Sequence, residues 1–185
     1  IIKKVFSDGI EFFSGETLEE TNLDKMLLSY SNHMAFGYLN DFGQWSELHR
    51  LIGLKDYHWA NHHFKGGHRT AENTQSGFNM LVLDVDGGTT LQAAHELLAD
   101  YTFMTYTTKR HTDEENRFRL ILPINYKLML DGEEYKEFMS NILNWLPFKV
   151  DESANQRERK WLTNDQTQYH YNDGALLDVL KFVPK

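Results

Sequence analysis

One stretch, Leu81-Val82-Leu83-Asp84-Val85-Asp86-Gly87-Gly88, restricts the fold more than any other part of the 185-residue chain. Its short apolar run, bounded by glycines, reads as a buried strand rather than a helix. Side chains alternate across a strand, so Asp84 and Asp86 point to the same face. Two carboxylates held so close repel one another, and burial raises the cost. A cation between them removes the conflict, and hard ions such as Mg²⁺ take carboxylate oxygens. An Asp-Gly turn with one solvated aspartate explains the same residues, and D-x-D alone does not separate the two readings.

The rest of the composition narrows the setting. The absence of cysteine excludes disulfides and thiolate metal sites and fits a reducing compartment. A net charge of −8 argues against a surface coated with basic residues for nonspecific nucleic-acid binding. It leaves room for a local basic track beside an acidic metal site. No run approaches the ~18 apolar residues of a membrane span, and no signal peptide is visible. A cytoplasmic protein without a membrane partner is expected. The chain begins at Ile1, as a fragment or a processed chain would.

Local patterns place the elements. Residues 2–13 read as a hairpin around Asp8-Gly9. Leu23, Met26, Leu27 and Tyr30 have helical spacing, so residues 18–54 predict helix. Residues 56–77 are rich in His, Gly and Asn and read as a polar loop with short elements. Thr89 and Gln92 form a capping box, opening a helix with Leu91, Ala94, His95 and Leu98 on one face. Residues 101–108 and 117–123 read as the arms of a hairpin with a charged tip. Asp131 and Glu134 form a second capping box, followed by a stripe of Tyr135, Phe138, Met139, Ile142 and Leu146. Residues 147–150 predict a short strand ending at Asp151, and residues 169–179 a last hairpin turning at Asn172-Asp173-Gly174. From residue 78 the order is β-α-β-β-α-β. It predicts an α+β fold with a mostly antiparallel, ferredoxin-like or RNA-recognition-type sheet. The D-x-D strand would be central, the helices on one face and the other face free. An N-terminal α/β portion would pack into the same domain.

Three segments then stand in order: Leu83-Asp84-Val85-Asp86, Thr107-Thr108-Lys109-Arg110-His111-Thr112 and Lys149-Val150-Asp151. Together they resemble the motifs of the archaeo-eukaryotic primase superfamily, especially the small primase–polymerases of phages and plasmids. Arg117-Phe118-Arg119-Leu120-Ile121-Leu122-Pro123 is similar to the segment that follows the second motif in phage-type members. Asp151, Asn155 and Arg159 are similar to the run after the third. The resemblance covers about residues 78–183. Two positions depart from it: Arg110 stands where Ser is frequent, and Trp161-Leu162-Thr163 where a Pro is usual.

The resemblance implies a template-directed nucleotidyltransferase, a DNA primase or primase–polymerase joining NTPs or dNTPs on single-stranded DNA. It implies Mg²⁺ or Mn²⁺ held by Asp84, Asp86 and Asp151. His111, counted with these three as catalytic, would bind the incoming nucleotide's phosphates, with Thr108, Lys109, Arg110 and Arg159 around it. It implies one catalytic domain over 1–185, divided into a subregion 1–77 and an RNA-recognition-like subregion 78–185. A phage or plasmid replication setting, with a helicase domain or partner, goes with it. Lys65, Arg69, Arg117 and Arg119 are candidates for contacts to nucleic acid.

Other readings stand beside this one. A non-catalytic module for single-stranded nucleic acid would carry exposed aromatics on its central strands, where this chain carries carboxylates. A D-x-D nucleotide-sugar transferase would not need the later His and Asp. A replication-initiation nuclease needs paired histidines on a strand and a nucleophilic Tyr on a helix. His58, His62, His63 and His68 invite a zinc reading, but Cys is absent and Gly66-Gly67 breaks a helix. His111 as a solvated tip residue, Asp151 as a turn cap, and residues 169–171 as packing rather than base stacking are the plain alternatives.

Overall fold

The structure, a computed structural model, describes residues 2–6, 9–12 and 18–184. In chain order the elements are β1 (Ile2–Phe6), β2 (Gly9–Phe12), β3 (Glu19–Glu20), β4 (Met26–Ser31), β5 (Leu39–Gly43), α1 (Leu48–Ile52), β6 (His58–Ala60), β7 (Gly77–Asp86), α2 (Leu91–Leu97), β8 (Phe103–Thr107), β9 (Arg117–Met129), α3 (Gly132–Trp145), β10 (Trp161–Leu162) and β11 (Tyr169–Asn172). The fold is α+β with antiparallel sheets. β1 and β2 pair as the expected hairpin. Residues 7, 8 and 13 of that reading lie outside the described residues.

The long strand β9 organises the main sheet. It pairs with β7 along one edge, and with β8 and, near its end, β3 along the other. β11 continues the sheet beyond β8. The D-x-D strand β7 is therefore not central, as expected, but flanks the central strand. Alternation along β7 and β9 divides their side chains between two cores. Leu81, Leu83, Leu120 and Leu122 face α3, whose Tyr135, Phe138, Met139 and Ile142 form the predicted stripe. The Asp131–Glu134 capping box opens α3 as expected. The cap of α2 falls one residue later than expected: Thr90, not Thr89, accepts from the Ala93 amide.

Met80, Val82, Met104, Tyr106 and Ile121 point the other way, against a second sheet ordered β10-β6-β4-β5. The face expected to be free is thus largely covered. That second sheet replaces most of the helix expected over 18–54, of which only α1 is an α-helix. Met26, Leu27 and Leu28 are buried in succession. A strand buried on both faces reads as a near-continuous apolar run, so its accidental spacing passes for helix. The loop over 56–77 is also drier than expected, with Asn61, His62, His63 and Phe64 all buried.

Two further strand expectations fail. Residues 147–150 form no strand: their side chains Phe148 and Val150 pack by Val85, but the one backbone bond to β7 there runs from the Asp151 amide to the Asp84 carbonyl (2.8 Å). The arms of the last expected hairpin separate: β11 pairs with β8, while Ala175 and Leu177 bridge in parallel to Tyr101 and Ile124. The Asn172 side chain donates to the carbonyls of Ala99 and Tyr101 and turns the chain away from itself.

Candidate active site

The site grows from the cross-strand register. Asp84 lies opposite Arg119, and Asp86 opposite Arg117. Arg119 in turn lies opposite Tyr106. All are on the face turned toward the second sheet, at the end where β7 runs out. Gly87 and Gly88 follow with φ of +94° and +83°, and a Cβ on Gly87 would collide with the Glu115 side chain. The left-handed backbone at both positions favours glycine. Asp151 reaches the same place through the hydrogen bond from its backbone amide to the Asp84 carbonyl.

Every carboxylate here is met by an arginine. Asp86 pairs with Arg117. Asp84 has Arg119 Nε at 3.8 Å and Arg159 Nη2 at 3.8 Å. The same Arg159 nitrogen is 3.7 Å from Asp151 Oδ2. Arg119 is the most firmly held of the three arginines. Its Nη1 donates to the Tyr106 hydroxyl (3.2 Å) and the Leu162 carbonyl (2.9 Å), and its guanidinium lies 5.2 Å from the Trp161 ring centre. Arg159 stacks on Trp161 at 4.6 Å. Trp161 is itself fixed by pairing with Trp59 in β6. Cation–π contacts of this kind fit arginine's flat, weakly hydrated group.

The charges shift as this crowding demands. Burial pushes the Asp84 carboxyl above its ordinary range; Arg119 and Arg159 oppose the shift, and Asp151 and Asp86 add to it. Asp151 goes the other way, chiefly because its carboxylate accepts from the Ser153 amide. That bond also caps the single helical turn Glu152–Asn155, so the capping role and a place beside Asp84 coexist. Lys160 is pushed down by burial and then by Arg69, Arg119 and Arg159 around it.

Asp84, Asp86, Thr108, Lys109, Arg110, Arg119 and residues 162–164 border a cleft of about 170 Å³. His111 lies in an adjoining hollow of about 350 Å³ that shares Thr108, Lys109 and Asn164 with the cleft. Its Nδ1 accepts from the Arg117 amide, so it is a tethered tip residue. Arg117 and Arg119 share a face as expected; Arg117 pairs with Asp86, while Arg119 hydrogen-bonds Tyr106 and Leu162 and stands 3.8 Å from Asp84. Lys65 is exposed on a separate loop and lines neither hollow. Arg69 donates to the carbonyls of Met34 and Glu158, which makes it a brace. The four histidines of the zinc reading disperse: His62 Nδ1 bonds Asn61 and His63 Nε2 the Asp41 carbonyl. Tyr106, Trp161 and the Leu162 carbonyl are site elements that sequence reasoning missed. The only hint was the departure at Trp161.

Among the described residues, no three His, Asp or Glu side chains converge closely enough to enclose an ion as they stand. The chemistry of the set still suits a hard divalent cation, since Asp84, Asp86 and Asp151 offer only carboxylate oxygens. The elevated Asp84 carboxyl fits too, because its two arginines do not offset its burial and its acidic neighbours.

This is an antiparallel α+β domain whose strand-borne carboxylates and arginines meet in one cleft. The chain belongs to the VapE N-terminal domain family, whose model matches residues 58–180. Among solved structures it is similar to the AEP domain of the cyanophage S-2L primase–polymerase, with 9% identity and a TM-score of 0.47 over 87% of this chain and 88% of that one. No curated protein matches. Among the described residues, no helix is long and apolar enough to cross a membrane.

Proposed function

We propose that the chain is a primase–polymerase catalytic domain that forms phosphodiester bonds from NTPs or dNTPs on single-stranded DNA. The observation that carries this reading is the Asp151 amide bonded to the Asp84 carbonyl, with Arg159 between their side chains. It ties the third motif segment to the first, and the second borders the cleft of Asp84 and Asp86 through Thr108, Lys109 and Arg110.

Asp84, Asp86 and Asp151 would hold Mg²⁺ or Mn²⁺. When bound, such ions lower the pKa of an attacking 3′-hydroxyl and neutralise charge on the leaving pyrophosphate. The chain's own residues do the positioning. Arg117, Arg119 and Arg159 supply planar donors that match phosphate oxygens. Lys109, Arg110 and Thr108 form the opposite rim, and His111 extends it toward a nucleotide's phosphates. Lys65 and, less directly, Arg69 are left to the template. The domain spans 1–185 in this proposal and works beside a helicase domain or partner in phage or plasmid replication.

The test is incubation with single-stranded DNA, labelled nucleotides and Mg²⁺ or Mn²⁺. Metal-dependent products that vanish in Asp84→Ala are expected. Undiminished synthesis by that variant would overturn the site assignment. Strand binding with no product under any metal would replace the enzyme by a binding module.

A further inference from the structure

Resting on the metal-site reading just given, we infer that Arg159 occupies the position between Asp84 and Asp151 as an internal cation, which a divalent ion must displace. Arg159 and Arg119 are anchored very differently. Arg119 has a side chain 13% exposed, is bonded to the Tyr106 hydroxyl and the Leu162 carbonyl, and lies close to the rings of Tyr106 and Trp161. It is a fixed counter-charge. Arg159 follows the turn at residues 157–158, and its side chain keeps 26% exposure. Its guanidinium is held by the two carboxylates, the Ser153 hydroxyl and the face of Trp161.

One nitrogen of Arg159 is 3.8 Å from Asp84 Oδ2 and 3.7 Å from Asp151 Oδ2. An Mg²⁺ ion bridging the same oxygens would stand roughly 2.1 Å from each. That separation leaves no room for a guanidinium between them. Arginine and metal are therefore alternative occupants. Trp161 supplies the ring against which the displaced side chain can stay stacked while it turns toward solvent. Loading the metal then frees a phosphate-binding fork at the cleft.

The test is direct binding of Mn²⁺ alone, without nucleotide, by titration calorimetry. Wild type, Arg159→Gln, Arg159→Lys and Asp84→Asn would be compared, each checked for folding by thermal melting. Removing the competing charge should tighten Mn²⁺ binding about tenfold in Arg159→Gln, given the strength of two partly buried ion pairs. Arg159→Lys should stay near wild type, and Asp84→Asn should lose binding. Equal or weaker binding by folded Arg159→Gln, with wild-type binding intact, overturns the displacement. Failure of every form to bind, or full binding by Asp84→Asn, overturns the metal reading beneath it.

Discussion

At the scale of single residues, the site depends on how its arginines are held. The Tyr106 hydroxyl accepts from Trp59 Nε1 at 3.1 Å and from Arg119, and donates to the Leu162 carbonyl at 3.2 Å. Tyr106→Phe keeps the ring but leaves buried donors unmet, which costs about 1–3 kcal/mol. The expected outcome is that loss in chemical denaturation, with a fall in nucleotide incorporation as Arg119 loses its anchor. A stability and activity equal to wild type would show that Arg119 needs no such support. The D-x-D alternation and the shared face of Arg117 and Arg119 were legible in the sequence, since both follow from the two-residue period of a strand. That Arg119 would lie opposite Asp84 was not, because register between β7 and β9 links residues 35 apart in the sequence.

Elements were legible where their signals are local. The second capping box was read correctly because both partners lie within one turn of α3. Asp131 accepts from the Glu134 amide at 2.9 Å, and Glu134 returns a bond to the Asp131 amide. Replacing Asp131 by Ala should lower stability by about 1 kcal/mol, read as a shift in denaturation midpoint at constant slope. Elements without local signals were misread. β4 passed for helix because burial on both faces erases the alternation that marks a strand. Residues 147–150 passed for a strand because they are apolar, yet only the Asp151 amide finds a β7 carbonyl.

At the scale of the whole molecule, the seam between the second sheet and α3 passes through His62. Its ring is fully buried among Phe78, Tyr135 and Asn61. Burial first, then Arg157 and His63, push its pKa down to about 3. The folded state therefore keeps His62 neutral, while the unfolded chain takes up a proton below about pH 6.5. Stability from this group is complete above that pH and is lost as pH falls toward the folded value. The slope is roughly 1 kcal/mol per pH unit. Melting temperature should fall between pH 7 and 5, and fall less steeply in His62→Leu. Equal slopes would remove His62 as the cause.

The sequence by itself determined what short-range geometry controls: which β7 side chains share a face, where α3 begins, and that the motif segments stand in primase-like order. Tertiary structure alone decided that β9 rather than β7 is central, that a second sheet covers the face expected to be open, and that Trp161 carries two arginines. The physical reason is one of range. Alternation and capping act within a few residues of chain, whereas strand order and charge pairing at the cleft arise only when distant segments are packed together.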